Sequence, residues 1–277
     1  MKHIIKFFSI LLVIIISIIL YSRYIGIKGI NVNETSIKYN ELLDDFYGLK
    51  IVHISDIHYG RTIHIKELKE LVHKINLTKP DIVVFTGDLF TDIKIDASEL
   101  DKITPVLNEI DASIGKYAIK GDNDNEQFDT VISNAGFKDI SNSYELIYTN
   151  SSNYIMLSGI SSNLKDKTDI NEKLKSSYEF LNTNKPNYSI LIMHEPDFID
   201  KIDYSKYNLV LAGHSLNGQI RLPFIGGIIK QNGAKKYIDS NYTLKNTKLI
   251  ISNGIGTYKY SYRLFNKPSF NLYRIIK

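Results

Sequence analysis

Hydrophobic and polar residues fall into blocks along this chain, and each block has its own period. The first block, residues 7–22, reads FFSILLVIIISIILYS and carries no charge. At about 1.5 Å per residue, a helix over it spans roughly 24 Å, a little short of a ~30 Å hydrocarbon core. Ile4 and Ile5 extend it if Lys6 snorkels, and Tyr21 and Tyr24 suit a membrane interface. It is apolar on every face, unlike the amphipathic helix of a soluble core. No small-x-small cleavage pattern follows, so the block predicts an uncleaved signal anchor rather than a removed signal peptide. Lys2 and Lys6 on one flank are answered by Arg23 and Lys28 on the other, which leaves the orientation open by charge alone.

A connector over residues 26–48 includes a strand-like run at 35–39, and then the period changes. Residues 49–54 are mostly apolar or β-branched, as in a strand buried on both faces. Over 66–78, Leu68, Leu71, Val72 and Ile75 share one face of a predicted helix, which Pro80-Asp81 closes. A second buried strand covers 82–86. A helix over 98–110 follows, capped by Ser98 or Asp96, and then a short strand over 116–119. This β-α-β-α-β order predicts a parallel sheet with crossover helices. The second half is richer in strands. Residues 145–148 and 154–158 read as a neighbouring pair, 171–181 as a helix, and 189–193, 209–212, 249–252 and 270–276 as strands. No repeat, heptad or low-complexity run divides this part, so 35–277 reads as one α/β domain behind an anchor over 1–30.

Composition adds mainly exclusions. The chain has 277 residues, 43% hydrophobic and 23% charged, which are ordinary values for a globular protein. The net charge of +4 is mild and the lysines are dispersed, so no nucleic-acid partner is expected. Absence of cysteine excludes disulfides, thiolate metal sites and cysteine nucleophiles.

The candidate chemistry gathers where strands end, the place at which open α/β sheets bind ligands. Asp56 and His58 follow the first buried strand. Two residues apart in an extended segment, they would point to the same side. Asp88 follows the second strand, Asp122 and Asn123 the third, and His194 and His214 follow two later ones. Carboxylate, imidazole and amide oxygen donors of this kind bind Mn²⁺, Fe²⁺ or Zn²⁺. Two ions roughly 3.5–4 Å apart need a bridging carboxylate, and Asp88 is the natural bridge because Gly87 lets the backbone turn sharply. Bland readings exist for each residue. Asp56 and Asp88 could be caps, Asp122 a turn former, and His58 a surface histidine. His53 fits a core better than a site, and His64 and His73 fit a surface. Arg221 could steady a phosphate or form a structural salt bridge.

Taken as an ordered set, the motifs resemble the calcineurin-like metallophosphoesterase family. They are Ser55-Asp56-Ile57-His58, Thr86-Gly87-Asp88-Leu89, Gly121-Asp122-Asn123-Asp124, Met193-His194-Glu195-Pro196-Asp197 and Gly213-His214-Ser215-Leu216. The context fits as well: residues 79–84 are typical of the family, and residues 217–223 and 254–257 with 262–265 resemble its bacterial membrane-anchored branch. The resemblance implies two stacked mixed β-sheets flanked by helices, and two divalent metal ions. Asp56, His58 and the bridging Asp88 would hold one ion, and Asp88, Asp122, His194 and His214 would surround the other. It also implies a catalytic role for Asp88, Asp122 and the Asn123 position, with a metal-activated hydroxide attacking a phosphoester. The substrate would be lipid- or nucleotide-linked, and the domain would be tethered outside the cytoplasm.

Two positions depart from the family pattern. Asp122-Asn123 stands where the family has Asn-His, and an amide cannot act as the general acid, a function typically worth about 10²–10⁴-fold. A register slip would instead make Asn123 the ligand. Leu216 stands where a last histidine would ligate the first metal, with Asn217 next to it. A slower enzyme that prefers activated or diester substrates would follow, or else a metal or phosphate binder that has lost turnover.

Overall fold

The computed structural model describes residues 1–91, 95–149, 151–166 and 168–277. A long helix α1 (Lys2–Tyr24) precedes β1 (Asn31–Lys38) and β2 (Lys50–Ile54). Helices and strands then alternate: α2 (Ile65–Thr78), β3 (Ile82–Phe85), α3 (Ala97–Asn108), β4 (Gly115–Ala118), α4 (Glu126–Asn134) and β5 (Lys138–Asp139). Next come β6 (Ser143–Tyr148), β7 (Tyr154–Ile160), α5 (Ile170–Lys173), α6 (Lys175–Thr183), β8 (Ser189–Met193) and β9 (Leu209–Ala212). A small hairpin, β10 (Arg221–Leu222) and β11 (Gly226–Gly227), is followed by β12 (Asn241–Leu244), β13 (Thr247–Ile251) and β14 (Ser269–Ile276).

Two six-stranded mixed sheets result, ordered β1-β14-β2-β3-β4-β5 and β12-β13-β9-β8-β7-β6. In the first, β2 to β5 run parallel and β14 opposes β2. In the second, β7, β8, β9 and β13 run parallel, with antiparallel strands at both edges. Strand alternation explains how the layers stack. Ile51, Ile82 and Val84 face Ile155, Ile190, Ile192 and Leu211 between the sheets. Their neighbours Val52, Ile54, Val83 and Phe85 turn the other way, onto Leu68, Leu71, Ile103 and Phe128 of α2, α3 and α4. Across the second sheet, Leu191, Met193, Val210 and Ile251 pack under Ile170 and Leu174. Both faces of the central strands are thus covered, which is why those strands read as continuous apolar runs.

The strands at 189–193 and 209–212 match the sequence expectation, and the other boundaries shift by a few residues. The helix expected over 171–181 is two short ones meeting at Leu174. The break coincides with Lys173, which is drawn inside to the Ser161 hydroxyl, the Ser162 carbonyl and the Asp166 carboxylate. Besides the two-residue strands β5, β10 and β11, two elements escaped the sequence reading. One is α4, whose Asn125 side chain accepts from the Gln127 N–H as an N-cap. The other is the edge strand β12.

Helix α1 stands apart: of its residues only Ser22 is buried. Among the described residues it is the one helix long and apolar enough to cross a membrane. The hydroxyls of Ser9 and Ser17 need no outside partner, because they donate to the carbonyls of Ile5 and Val13, four residues back. Its foot is fastened by the Arg263 N–H donating to the Ser22 carbonyl at 3.0 Å. Arg23 donates in turn to the Ser261 carbonyl at 3.1 Å.

Ile192, central between the sheets, sets a test of this packing. Ile192→Ala is expected to cost about 2–5 kcal/mol of unfolding free energy by chemical denaturation. Lys66→Ala, on the exposed side of α2, should stay within about 0.5 kcal/mol.

Candidate metal centre

The strand ends converge because the chain turns sharply just beyond them. Asp56, His58, Asp88 and His214 all have left-handed φ, between 46° and 61°. Such φ values cost an L-residue roughly 1–2 kcal/mol and cluster at functional sites. The extended geometry expected for Asp56 and His58 is therefore not what brings them together. Both lie past the end of β2, in turns laced to the loop after β3. The Asp56 N–H donates to the Gly87 carbonyl at 2.9 Å, and the His58 N–H to the Asp88 carbonyl at 3.1 Å. Gly87 itself has φ +93°, and a Cβ there would sit 2.5 Å from the Gly121 nitrogen. The turn expected of this glycine is observed, and it also lets the loops after β3 and β4 touch.

Two groups of donor atoms form, each with its atoms within 4.8 Å of one another: Asp56, His58 and Asp88, and Asp88, Asp122, His194 and His214. Asp88 belongs to both. His58 Nε2 lies 3.7 Å from Asp56 Oδ1 and 3.7 Å from Asp88 Oδ2. His194 Nε2 lies 3.4 Å from Asp88 Oδ2 and 3.2 Å from Asp122 Oδ1. His214 Nδ1 lies 3.3 Å from Asp122 Oδ1 and 3.2 Å from His194 Nε2.

Each imidazole is held from behind. His58 Nδ1 donates to the Phe90 carbonyl at 3.2 Å, His194 Nδ1 to the Thr86 carbonyl at 2.7 Å, and His214 Nε2 to the Asn232 carbonyl at 2.8 Å. A carbonyl only accepts, so in the neutral ring the inward nitrogen carries a lone pair. Three lone pairs therefore aim at three carboxylates. Asp56 Oδ1 is buried with no hydrogen-bond partner at all. Such an arrangement is repulsive unless protons or cations enter, and the all-oxygen-and-nitrogen donor set fits divalent cations.

Protonation follows the same electrostatics. Burial alone would lower the pKa of each histidine. For His194 the Asp88 charge and the Asp122 bond outweigh burial and raise it well above the ordinary value. His58 and His214 are raised likewise, by Asp56 and Asp88 and by Asp122. Asp56 is pushed up by burial, yet its contacts with His58 and His194 bring it down to about 2. His53, expected in the core, is buried between Tyr273 and Thr86, and burial lowers it to about 3. His64 and His73 are on the surface, as expected.

The residues at the positions expected to depart from the family pattern have definite surroundings. Asn123 clamps Asp88: its backbone N–H donates to Oδ1 at 2.9 Å, and its side-chain Nδ2 to Oδ2 at 2.7 Å. Asp122 is the residue of that pair that reaches the histidines. Leu216 is fully buried, and a Cβ on Gly254 would fall 2.3 Å from its Cδ2 and 3.1 Å from Asp56 Cβ. Asn217 gives both its oxygens to Arg221, which pairs on its other side with Asp239 at 2.7 Å. Of the two readings of Arg221, the structural salt bridge is the one present.

Asp124 and Arg263, which the sequence placed in the motifs with Asp124 in a structural role, support the site from behind. Asp124 accepts backbone N–H bonds from Asp88, Leu89, Phe90 and Gly121, and so pins two loops together. Arg263 is fully buried, and burial lowers it to about 9; it donates to the carbonyls of Asn253, Gly254, Gly256 and Asn266. The loop it fixes holds Asp56 in turn, through the Gly256 N–H on the Asp56 carbonyl at 2.8 Å. The site opens into a cavity lined by Asp122, Leu164, His214, Lys230, Tyr258 and Tyr260.

Comparison with known proteins adds a lineage to this geometry. The model of a family described as calcineurin-like phosphoesterase matches residues 49–218. An uncharacterized metallophosphoesterase of Bacillus subtilis, YkuE, is 29% identical over 260 residues, covering 92% of this chain and 88% of that one. The UDP-2,3-diacylglucosamine pyrophosphatase LpxG of Chlamydia muridarum is 35% identical over 78 residues, 28% of this chain and 23% of that protein. Among solved structures, TT1561 of Thermus thermophilus superposes with a TM-score of 0.51 at 11% identity, over 75% of this chain and 90% of that one. That likeness is one of fold.

The raised histidines set a pH test. In the metal-free protein, protons on the inward nitrogens contribute stability below the unfolded histidine pKa, and this is lost as pH rises through the raised folded values. Cations would take the protons' place. The gain in Tm on adding Mn²⁺ or Zn²⁺ should therefore grow as pH rises past the ordinary histidine value of 6.5. Thermal scans with and without metal at several pH values measure it, and a gain that shrinks with pH would contradict the assignment.

Proposed function

The chain belongs to the calcineurin-like phosphoesterase family, and from that premise we propose that it is a membrane-tethered, metal-dependent phosphoesterase. The observation that carries the reading is Asp88. It is shared by two groups of buried donors whose three inward histidine nitrogens are already oriented by backbone carbonyls. Asp56, His58 and Asp88 would hold one divalent cation, and Asp88, Asp122, His194 and His214 the other, with Mn²⁺, Fe²⁺ and Zn²⁺ the candidate metals. Bound there, such a pair supplies a water of lowered pKa and charge neutralisation at the phosphoryl oxygens.

The chain's own residues do the rest. Asn123 fixes both oxygens of Asp88 and so sets the geometry of the shared carboxylate. The Asn123 amide itself offers no proton to a leaving group, so the reading favours phosphoesters whose leaving group departs as a stable anion. Lys230, Tyr258 and Tyr260 at the cavity mouth offer a cation and aromatic faces to an anionic substrate. The LpxG name, which states action on UDP-2,3-diacylglucosamine, supports a lipid- or nucleotide-linked phosphoester. Helix α1 is read as a single-pass anchor, with residues 35–277 as one domain outside the cytoplasm. Leu216 beside Asp56 favours a second reading, a metal or phosphate binder without turnover, because it removes one expected donor from the first group.

Hydrolysis of bis-p-nitrophenyl phosphate by the full chain in detergent, with Mn²⁺ supplied, separates these readings. Turnover abolished in Asp88→Asn is the expected result. An inert wild type that still binds metal would favour the binder. Asn123→His should raise kcat on alkyl phosphoesters by about 10²-fold or more, and far less on nitrophenyl esters. Equal gains on both would contradict the missing-acid account.

A further inference from the structure

The hairpin after the last candidate ligand carries apolar side chains where a soluble protein would place polar ones. Between β10 and β11, Leu222 to Ile225 form a tight turn closed by the Ile225 N–H on the Leu222 carbonyl at 3.2 Å. Pro223 takes its second position and Phe224 its third, with Phe224 at φ +66°. That position favours glycine or asparagine, and a phenylalanine there is strained. Yet Phe224 is fully exposed, and Ile225 and Ile228 beside it are exposed as well. Strain borne to hold an aromatic ring in water has no folding benefit, which points to a partner for the ring.

Continuity says what the partner is. Strand β10 lies on the segment that grips α1: the Arg221 N–H donates to the Leu264 carbonyl at 2.9 Å, and the adjacent Arg263 N–H donates to Ser22 of α1 at 3.0 Å. Gln219 joins the same segment, donating to the Tyr260 carbonyl at 2.7 Å. Tyr260 and Phe265 on it are exposed, as are Tyr24 and Ile25 at the foot of the helix. The three segments that build this face, residues 20–30, 219–236 and 254–268, contain no aspartate or glutamate. They contribute the exposed cations Lys28, Lys230, Lys259 and Lys267. Apolar tips ringed by cations and attached to a membrane-length helix match an interfacial surface for anionic lipid.

We infer that the β10–β11 hairpin and the Tyr258–Lys267 loop dock on an anionic bilayer and seat the mouth of the metal centre at the lipid surface. The inference rests on reading α1 as the anchor. Lys230, Tyr258 and Tyr260 line the mouth itself, so a docked domain would receive its phosphoester from the headgroup layer rather than from bulk water.

The absence of cysteine makes the test specific, since a single introduced thiol is the sole labelling site. The full chain would be placed in nanodiscs of phosphatidylcholine and phosphatidylglycerol, with a nitroxide on Ile225→Cys, Ile14→Cys or Ser152→Cys in turn. Ile14 lies within α1, and Ser152 is exposed near the start of β7, at the end of the second sheet away from the site. Relaxation by oxygen, which concentrates in lipid, is compared with relaxation by a water-soluble nickel chelate. The Ile225 label is expected to shift toward the Ile14 values, and to shift less in discs of phosphatidylcholine alone. An Ile225 label matching Ser152 while Ile14 reports lipid would overturn the docking face. An Ile14 label in water would overturn the anchor reading instead, and neither readout depends on hydrolysis.

Discussion

Asp56, Asp88 and Asp122 share a small, nearly dry space with the inward nitrogens of three histidines, and the rest of the fold serves that crowding. Removing a carboxylate from water costs several kcal/mol even after the protein relaxes. Three of them within a few ångströms would repel one another as well. Protons on the histidines offset part of this, which is why His194 is raised well above its ordinary value. The unpartnered Asp56 Oδ1 shows that hydrogen bonding does not complete the set. Divalent cations would balance the same donors, and each ring is already turned inward to meet them.

Such a site has to be held open against its own repulsion, and backbone contacts do most of the holding. Asp124 gathers four N–H groups from the loops after β3 and β4. Asn123 adds two donors to Asp88. Arg263 spends a buried charge on carbonyls alone, fixing the loop that supports Asp56. The left-handed turns at Asp56, His58, Asp88 and His214 are the strain that these contacts sustain. The Arg263 backbone N–H also holds α1, so one buried segment links that apolar helix to the candidate metal centre.

Much of this was legible in the chain itself. Central strands buried on both faces must be apolar throughout, so residues 189–193 and 209–212 announced themselves, and so did the charge-free run of α1. The order of acid, amide and histidine after successive strands carried the family, because only a sheet that aligns strand ends makes that order useful. Other elements were hidden. The α4 segment is short and follows directly on the Asp122–Asp124 loop, and its helically spaced Phe128, Val131 and Ile132 cover little more than one turn. Strand β12 is an edge strand with little apolar character, ordered by its pairing with β13.

Sequence by itself determined which side chains could bind cations, because donor chemistry is a property of residue type, and which strands would lie at the centre, because burial demands a composition. Tertiary structure alone decided how those donors meet. Asp56 and His58 converge through left-handed turns rather than strand alternation, and the loop contacts that sustain such turns come from residues distant in the chain. It also decided that Asn123 holds Asp88, that Arg221 is taken by Asn217 and Asp239, and that Leu216 rests beside Asp56. Each of these depends on distances between segments brought together by packing, and no local pattern encodes such a distance.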